Sequence, residues 1–485
     1  MKKIKILSIL FLLFLCLGTY DILSNTFSLF GTNSLHINNI KNKIKNTVFY
    51  IPSQIKENKR LNKLNKIYRS EIENNTENIQ DLYNYSKVLS SFELIKKSSK
   101  KLISENENQY EIIFYNLPLL DYNTSKGKPV GYIEQHKDKI IILSGDGQSF
   151  YFKESDIGDS IINLIKINNN LKNFNFFKTI NEKGLISIRD IEIYNENLYI
   201  SVVNKKENNC IQLQIYKSNL SQVNNLNFEI FYNLDECLIK DDYLEMNLGQ
   251  TGGRIIFHKN NLIFSTGGFR TRIKPQDDNS LYGKILAINL DTKKSKIISK
   301  GHRNIQGLTI FKNIIISTEH GPNGGDEVNI HKDILSNQEI PNYGWPISSY
   351  GEHYKTVIKN AKNLNRYEEL IKIAPLNKSH SKFGFIEPIR YFSPASVAIS
   401  EIEVSNSNFN KNFINDVYFG TLRNSPDKRA SIYHLKFDKE FNKIIFEDKI
   451  VLNHRVRDLK IPSENDKMYL MLETTPSLGV LKKIN

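Results

Sequence analysis

The sequence predicts an all-β protein, a six-bladed β-propeller of four-stranded antiparallel blades that follows an amino-terminal extension. One short unit, four or five apolar residues followed in most copies by Ser, Thr or Gly, recurs six times. The copies are spaced by about fifty residues with one longer gap, which is the period of propeller blades. Further short strands flank most copies, so each repeat supplies the up-and-down strands of one blade.

The six copies begin at Ile140, Leu198, Leu262, Ile314, Val417 and Met468. The long gap before the fifth copy holds a polar stretch, 349–382, which we interpret as loops over one face. A pair of two-sheet sandwiches is the alternative architecture, but it does not explain six similar units. In a propeller, the loops of successive blades meet at one axial mouth, so residues far apart in sequence become neighbours there.

The chain starts with a lysine-rich segment and an apolar run from Ile6 to Leu17, the pattern of an export signal. No clear small-residue cleavage site follows, so residues 1–23 are predicted to be a signal peptide or a membrane anchor. We therefore expect an exported protein, periplasmic and either soluble or tethered to the inner membrane. Residues 24–108 are predicted to be a partly helical, Lys/Asn-rich extension, and residues 109–485 the propeller.

Composition limits the class of partner. The 485 residues are 40% apolar, which allows a large core, and the net charge of +14 comes without dense arginine clusters among aromatic residues. A nucleic-acid partner is therefore not expected, although attraction to anionic lipid stays open. Cys210 and Cys237 either form one disulfide or remain free thiols, and they exclude a zinc ribbon.

The chemistry concentrates between Gly301 and Pro346. Residues 301–307 place a guanidinium, Arg303, and the amide of Asn304 just before a predicted strand, where they suit an anion. Residues 319–327 follow that strand with a glycine-rich, acid-ended loop. Its backbone carbonyls are donors that calcium prefers, although a plain glycine-rich turn is the alternative.

A pair of arginines near the carboxyl end points to an anion as well. Strand alternation puts Arg455 and Arg457 on one face, where their guanidiniums repel each other unless an anion lies between them. A planar cofactor rich in carboxylates would meet that demand, with Arg423 in another loop nearby. The alternative is that each arginine pairs with a local acid, such as Asp458 or Asp326.

Six signatures, in this order across 129–483, are similar to those of the soluble PQQ-dependent glucose, aldose and sorbosone dehydrogenase family, whose fold is a six-bladed propeller. They are Gly252-Gly253-Arg254-Ile255, Gly283-Lys284-Ile285-Leu286, residues 301–307, Glu319-His320-Gly321-Pro322, Asn342-Tyr343-Gly344-Trp345-Pro346 and Arg455-Val456-Arg457-Asp458. The resemblance implies oxidation of an aldose-type sugar or alcohol with PQQ and calcium, and an electron acceptor that the sequence does not name.

The resemblance also assigns roles to residues. The set implied to bind the quinone is Arg303, Asn304, Arg455 and Arg457, with Arg423 where relatives often have lysine. The carbonyls of Gly321 and Pro322 would hold calcium, and Glu327 would belong to a second, structural calcium.

One departure concerns the chemistry itself. Family members carry a histidine base three residues before the Gly-Arg pair of the third blade, and this chain has Gln250 there. The resemblance thus implies Gln250 and Arg303 as the catalytic positions. An amide cannot take up the proton, and His258, His302 and His320 are the nearest substitutes in sequence. The alternative function is therefore a non-catalytic propeller that binds a sugar or an anion, and a weaker one is a membrane-tethered scaffold.

Overall fold

The structure, a computed structural model, describes residues 93–117, 131–145, 147–174, 188–206, 210–239, 246–333, 335–336, 339–423, 429–474 and 477–484. The predicted signal or anchor, 1–23, and the extension up to residue 92 lie outside this part. Within it, none of the helices combines the length and the apolar character needed to cross a membrane.

The described residues are mostly strands. In chain order these are β1 (Glu93–Ile103), β2 (Gln109–Asn116), β3 (Gly131–His136), β4 (Lys139–Ser144), β5 (Ser149–Lys153), β6 (Ile161–Asn163), β7 (Ile165–Asn169), β8 (Ile188–Tyr194), β9 (Asn197–Lys205), β10 (Cys210–Asn219), β11 (Asn225–Leu226), β12 (Glu229–Asn233), β13 (Leu238–Ile239), β14 (Gly252–His258), β15 (Asn261–Thr266), β16 (Lys284–Asn289), β17 (Ser295–Lys300), β18 (Ile305–Phe311), β19 (Ile314–Glu319), β20 (Asp326–His331), β21 (Arg390–Phe392), β22 (Ile399–Val404), β23 (Asp416–Thr421), β24 (Ser431–Phe437), β25 (Ile444–Val451), β26 (Val456–Lys460), β27 (Lys467–Leu472) and β28 (Ser477–Ile484). The α-helices of this part are α1 (Lys355–Asn363) and α2 (Tyr367–Ile373), and its 3-10 turns are Glu154–Asp156, Leu171–Asn173, Lys274–Gln276 and Ser381–Phe383.

These strands form six sheets, which are the blades. Blade 1 is β3-β4-β5-β7-β11, blade 2 is β8-β9-β10-β12 with β13 on β10, blade 3 is β14 to β17, blade 4 is β18 to β21, blade 5 is β22 to β25, and blade 6 is β26-β27-β28-β2-β1-β6. The first strand of each blade contacts the first strands of the two neighbouring blades, and β26 contacts β3. The ring is therefore closed, and the prediction of a six-bladed propeller is confirmed.

Each of the six predicted repeats is the second strand of one blade: β4, β9, β15, β19, β23 and β27. These strands are apolar without alternation because each blade is covered on both faces by its neighbours. In β4, for example, every residue after Lys139 is buried. The cores between blades are built from such runs, as where Ile141 of blade 1 packs in one cluster with Ile200 of blade 2.

Two regions differ from the expectation. The stretch 93–108 was assigned to the extension, but Glu93–Ile103 is a strand of blade 6 that pairs with β2 along its length. The strand is hard to recognise in the sequence because it is rich in lysine. Lysine is tolerated there because β1 lies near the outer edge of the sheet, where few of its side chains are buried. The stretch 349–382, interpreted as loops, contains α1 and α2.

Cys210 and Cys237 form a disulfide, with their Cα atoms 5.4 Å apart. The bond joins the start of β10 to the segment just before β13, which itself pairs with β10. Of the two states that the sequence left open, the structure therefore has the bonded one.

Lys284 fastens the loop that precedes β16. Its side chain is fully buried, and Nζ donates to the carbonyls of Lys274 at 2.7 Å, Pro275 at 3.0 Å and Tyr282 at 3.1 Å. Burial lowers the pKa of Lys284 to about 8. The Lys284 ammonium is therefore surrounded by three carbonyl oxygens, as a small bound cation would be.

We expect Lys284→Met to lower the free energy of unfolding by about 2–3 kcal/mol, because three hydrogen bonds from a charged donor are lost. Urea unfolding followed by circular dichroism measures this change. Lys296→Met, an exposed position on β17 of the same hairpin, is the matched control and should be neutral within about 0.5 kcal/mol. Equal stability of the two variants would contradict the prediction.

Candidate active site

The predicted site residues lie at one end of the propeller axis, which we call the mouth. Gln250 lies two residues before the start of β14, Arg303 lies two residues before the start of β18, and Arg457 lies in β26. These are first strands of three blades, and all first strands start at the mouth. The ends of the second strands meet them there by antiparallel pairing, and Glu319 ends β19 while Glu473 directly follows β27.

Arg303 and Gln250, the two predicted catalytic residues, are in contact. Arg303 Nη1 donates to the carbonyl of His320 at 2.6 Å, and its guanidinium lies over the Trp345 ring at 5.3 Å. With the Gln250 amide oxygen facing the guanidiniums, it accepts from Arg303 Nη2 at 3.0 Å and from Arg270 Nε at 2.8 Å. Burial lowers the pKa of Arg303. Two guanidiniums therefore surround the position where relatives have their base.

Asn304 ties two blades together. Its Oδ1 accepts from the backbone N–H of Gly252 and from Gln306 Nε2, both at 3.1 Å. Since the oxygen is used within the protein, the NH₂ group is the part of Asn304 that could serve an anionic ligand.

Glu473 lies between Arg455 and Arg457. Its Oε2 accepts from Arg455 Nε at 2.9 Å, and its Oε1 accepts from Arg457 Nε at 2.6 Å. Burial would raise the pKa of Glu473, but Arg457 and Arg455 outweigh burial and hold that pKa below its ordinary value. The anion expected between these guanidiniums is thus partly supplied by the protein, through a residue that the sequence reasoning missed.

Neither acid named as a local arginine partner takes that role. Asp458 pairs with Arg254 at 2.9 Å, and Asp326 accepts from the backbone N–H groups of Gly321 at 2.9 Å and Ala398 at 2.7 Å. Arg455 and Arg457 do pair with a local acid, as the alternative held, but that acid is Glu473. The carboxylates of Asp458 and Asp326 are engaged in holding strands and loops instead.

Arg423 lies at the rim of the mouth. Its Nη1 donates to the carbonyl of Ser396 at 3.3 Å, and the carbonyl of the preceding Leu422 accepts from Arg455 Nη1. The loop after β23 is therefore fastened to Arg455, one of the two arginines that the sequence singled out.

The glycine-rich loop after β19 is tightly folded. A Cβ on Gly321 would lie 2.0 Å from the carbonyl oxygen of Gly325, so no other residue fits there. The carbonyl of Pro322 accepts from Ser396 Oγ at 3.1 Å, and Asp326 holds the loop from inside. Backbone carbonyls fixed in this way are the donor type that calcium takes.

Glu327, predicted for a second calcium, has other neighbours. Its Oε1 lies 3.2 Å from His380 Nε2, and its Oε2 accepts from Asn329 at 3.3 Å. Burial raises the pKa of Glu327. Among the described residues, one group of three metal-ligating side chains lies close enough to share an ion, and Glu327 is not in it. Its calcium role stays a prediction.

That group is Asp190, Glu401 and Asp458, and Arg254 lies among them on the axis below the mouth. Arg254 Nη1 is 2.7 Å from Asp190 and 2.9 Å from Asp458, and it also contacts Glu401. Burial alone would lower the pKa of Arg254, but the three carboxylates together raise it well above its ordinary value. The guanidinium fills the position that an ion would need.

A second layer lies further from the mouth. Lys460 Nζ is 2.7 Å from Glu134, 3.0 Å from Glu403 and 3.6 Å from Glu192. These residues line an axial cavity of about 470 Å³. The axis therefore holds two stacked layers in which one cation faces three carboxylates.

The histidines proposed as substitute bases have different surroundings. Both ring nitrogens of His302 are used, by Ser299 Oγ at 2.8 Å and Glu319 Oε2 at 2.9 Å, and the ring stacks on Tyr343. His258 ends β14, away from the mouth. Burial lowers the pKa of His320 to about 4, and Arg303 and Arg457 add to the fall. His320 is therefore a neutral and weakly basic imidazole.

The loop 342–346 places Trp345 under Arg303. Tyr343 donates its N–H to the carbonyl of Lys300 at 2.9 Å, and Trp345 donates to that of Gly301 at 3.0 Å. Gly301 has a φ of +77°, and a Cβ there would lie 2.2 Å from Asn342 Oδ1. Only glycine lets these two signatures dock so closely.

Arg189 is a further cation that the sequence reasoning missed. It is the second residue of β8, and its Nη2 donates to the carbonyl of Leu248 at 2.8 Å. Burial lowers the pKa of Arg189 to about 10. Its Nε and the Nε2 of His320 are buried and have no hydrogen-bond partner among the described residues. The sequence feature that could have indicated Arg189 is its position directly before Asp190 at the start of a strand.

A planar polyanion fits this set. Arg189, Arg303, Arg455 and Arg457 supply donors around the mouth, and orphaned buried nitrogens call for a ligand because an unpaired buried polar group is costly. Apart from Glu473, the hydrogen-bond acceptors of these guanidiniums in the described part of the chain are neutral carbonyls and amides.

Comparison with known proteins agrees with this geometry. A sequence model of the family described as glucose/sorbosone dehydrogenase matches residues 160–479. The chain belongs to this family. Among curated relatives of this glucose/sorbosone dehydrogenase family member, aldose sugar dehydrogenase YliI of Escherichia coli is 28% identical over 253 residues, which are 48% of this chain and 59% of that protein. An uncharacterized Synechocystis protein, slr1608, is 29% identical over 204 residues, 39% of this chain and 42% of that protein. The matched region thus spans about half the length of each curated relative.

Solved structures show the same fold for this member of the glucose/sorbosone dehydrogenase family. The soluble aldose sugar dehydrogenase of Escherichia coli, in its apo form, matches with a TM-score of 0.55 and 17% identity over 80% of this chain and 99% of that chain. The PQQ-bound aldose sugar dehydrogenase of Streptomyces coelicolor matches with a TM-score of 0.51 and 16% identity over 74% and 95%.

Proposed function

We propose that this glucose/sorbosone dehydrogenase family member binds PQQ and calcium and oxidises an aldose-type sugar or related alcohol. The observation that carries the proposal is the mouth itself, where Arg303, Gln250 and Arg457, from three blades, converge beside orphaned buried nitrogens. The structural likeness to a PQQ-bound relative supports the choice of cofactor.

The residues present suit the quinone. Arg455 and Arg457, already oriented by Glu473, would take its carboxylates, and Arg303 with the Asn304 amide would donate to its oxygens. The carbonyls of Gly321 and Pro322 would hold calcium. When bound, the quinone would accept two electrons from the substrate, and calcium would polarise it.

The protein's own side chains would orient the substrate and handle its proton. Trp345 and the His320 carbonyl fix the Arg303 guanidinium, so it can orient a substrate oxygen without reorganising. Gln250 can hydrogen-bond a hydroxyl, but its amide cannot accept the proton that oxidation releases. Proton removal is therefore the weak step of this site, and we expect slow turnover.

The second candidate function is a propeller that binds a sugar or an anion without turnover. The contact of Gln250 with both Arg303 and Arg270 favours it, because the amide is built into a cationic arrangement rather than left to receive a proton. The two candidates differ in turnover, and the second binds its ligand with or without the quinone.

Trp345, the sole tryptophan of the chain, reports on ligands at the mouth. We expect PQQ added with calcium to quench its fluorescence saturably, and Arg457→Gln to weaken binding at least tenfold because a charged donor to a carboxylate is lost. Arg366→Gln, an exposed arginine paired with Glu369, is the control that should leave the affinity unchanged.

Dye reduction over a panel of aldoses and alcohols separates the candidates. Reduction by the PQQ-loaded protein supports the dehydrogenase, and binding without reduction supports the non-catalytic propeller. Absence of PQQ binding would overturn the dehydrogenase and leave a propeller that binds a sugar or an anion without the cofactor. We also propose that the protein is exported, periplasmic, and soluble or anchored by residues 1–23, and that it passes electrons to an acceptor not yet identified.

A further inference from the structure

The first strand of blade 2 repeats a local pattern of blade 6. Ile188-Arg189-Asp190-Ile191 and Val456-Arg457-Asp458-Leu459 have the same order of apolar, cationic and acidic side chains. In both strands a β-bulge interrupts the pairing with the second strand of the blade, and the bulged residues are Arg189 and Arg457. Bulges re-aim a side chain, and they are frequent beside active sites.

The aspartates that follow the two arginines have equivalent surroundings. Asp190 lies 2.7 Å and Asp458 lies 2.9 Å from Arg254 Nη1. Each also accepts a backbone N–H from the next blade of the ring, from Ile255 at 2.7 Å and from Ile133 at 2.9 Å respectively. The two strands therefore present the same arrangement to the axis, and their bulged arginines extend from equivalent positions at the mouth.

Bulged side chains of different blades meet over the axis. Arg457 Nη1 donates at 3.4 Å to Oε1 of Gln306, which is the bulged residue of β18 in blade 4. Burial lowers the pKa of Arg189, and the nearby charge of Arg457 lowers it further. Two guanidiniums, from blades 2 and 6, thus act on the same space, and their repulsion favours an anion there.

The second strands of the two blades differ at the decisive position. In blade 6, Glu473 follows the strand partner of Val456, and its Oε1 accepts from Arg457 Nε at 2.6 Å. The corresponding residue of blade 2 follows the strand partner of Ile188, and it is Val203, which is fully buried among apolar neighbours. Blade 2 therefore has the bulged arginine of blade 6 without its carboxylate.

The Arg189 side chain is nevertheless held in place. Its Cβ lies against Gly253, where an added Cβ would be 2.4 Å away, and its Nη2 donates to the Leu248 carbonyl at 2.8 Å. Within the part of the chain that the structure describes, no carboxylate pairs with Arg189, and its buried Nε lacks a hydrogen-bond partner. An unpaired buried N–H is costly, so this oriented guanidinium requires an acceptor from a ligand.

We propose that Arg189 is a further cofactor-binding residue, which takes a carboxylate of the quinone on the blade 2 side of the mouth. PQQ is a planar tricarboxylate, so it can offer one carboxylate to Arg455 and Arg457 and another to Arg189. This inference rests on the proposed function, since it extends the same site to blade 2. Arg189 lies outside the set of residues that the family resemblance implies.

Fluorescence titration of Trp345 tests the assignment with two ligands, PQQ and its trimethyl ester, each added with calcium. The ester keeps the ring system and lacks the carboxylate charges. We expect Arg189→Gln to weaken PQQ binding at least tenfold and to leave the affinity for the ester within about twofold, because only the charged ligand loses a partner. Higher salt should weaken PQQ binding less in Arg189→Gln than in the native protein, since one ionic contact is missing.

Controls separate this role from a structural one. Arg366→Gln, at an exposed position paired with Glu369, should leave both affinities unchanged. Thermal unfolding should show that Arg189→Gln is folded. If it does not fold, Arg189→Lys replaces it and should weaken PQQ binding by roughly threefold without changing the affinity for the ester, because an ammonium keeps the charge and loses the planar fork.

The outcomes are distinct. Equal PQQ affinity in the native protein and in Arg189→Gln would overturn the proposal, and so would an equal loss of affinity for PQQ and for the ester, which would make the role of Arg189 structural. If the native protein binds PQQ in either of these cases, the proposed function stands and only the assignment of Arg189 falls. If the native protein does not bind PQQ, the dehydrogenase and this assignment fall together.

Discussion

Gln250→His is expected to raise turnover of the PQQ-loaded protein by roughly 10²–10⁴-fold, the usual contribution of a general base. Gln250 already contacts Arg303, so an imidazole there would lie beside the guanidinium that orients the substrate. The two neighbouring guanidiniums should lower the pKa of the new histidine below about 6.5, so the rate should reach its plateau below neutral pH. Dye reduction as a function of pH measures both effects.

Gln250→Asn is the matched control for this gain. It keeps an amide, shortens it by one methylene, and should leave turnover at or below that of the native protein, since it supplies no base. A native protein that turns over as fast as Gln250→His would show that another group takes the proton. Equal PQQ affinity in all three proteins is required for the comparison to report on chemistry.

Arg254→Met should be the most destabilising single change in the axial core. It leaves Asp190, Glu401 and Asp458 buried around an apolar side chain, and removal of one partner of a buried ionic group costs about 3–5 kcal/mol. Urea unfolding measures the loss, with Arg366→Met as the exposed control expected to lie within about 0.5 kcal/mol of the native value. A loss below about 1 kcal/mol would mean that these carboxylates are not charged in the folded protein.

The pH dependence of Arg254→Met has a definite sign. Burial already raises the pKa of Asp190 to about 7 in the native protein, and without Arg254 that pKa must rise further. A carboxyl group whose pKa is raised on folding contributes its full stabilisation of the folded state below its unfolded pKa of about 4. That contribution is lost as the pH rises through the folded pKa. The variant should therefore lose more stability at pH 8 than at pH 5, and an equal loss at both would contradict this account.

The fold was predictable because its signal is local. Each second strand is a short apolar run covered on both faces, so the repeats starting at Ile140 or Leu262 are visible without any knowledge of their partners. β1 was not predictable in the same way, since Leu94 is its sole buried side chain and four of its other ten residues are lysines. β1 is a strand because it pairs with β2 and β6, and its own composition does not indicate that pairing.

The site was predictable only as far as single loops go. Arg303 and Gln250 could be named from their signatures, and the structure brings them into contact. Glu473 was missed because its partners, Arg455 and Arg457, reach it across the β26–β27 hairpin, and nothing in the sequence marks a carboxylate there as a bridge. Arg254 looked like part of a signature, yet its three carboxylates come from blades 2, 5 and 6.

Blade 6 joins distant parts of the chain, since Gln109 of β2 pairs with Ile484 of β28. A contact between such remote residues makes folding slow, because the entropy of closing a long loop must be overcome before the pairing stabilises it. The other five blades cannot close into a ring until β28 has paired with β2. The chain should therefore pass through an open, protease-sensitive stage during folding. Arg455, Arg457 and Glu473 belong to this last blade. The mouth therefore becomes competent to bind its ligand only in the final step of folding, and PQQ added during refolding should protect the latest intermediate and none of the earlier ones.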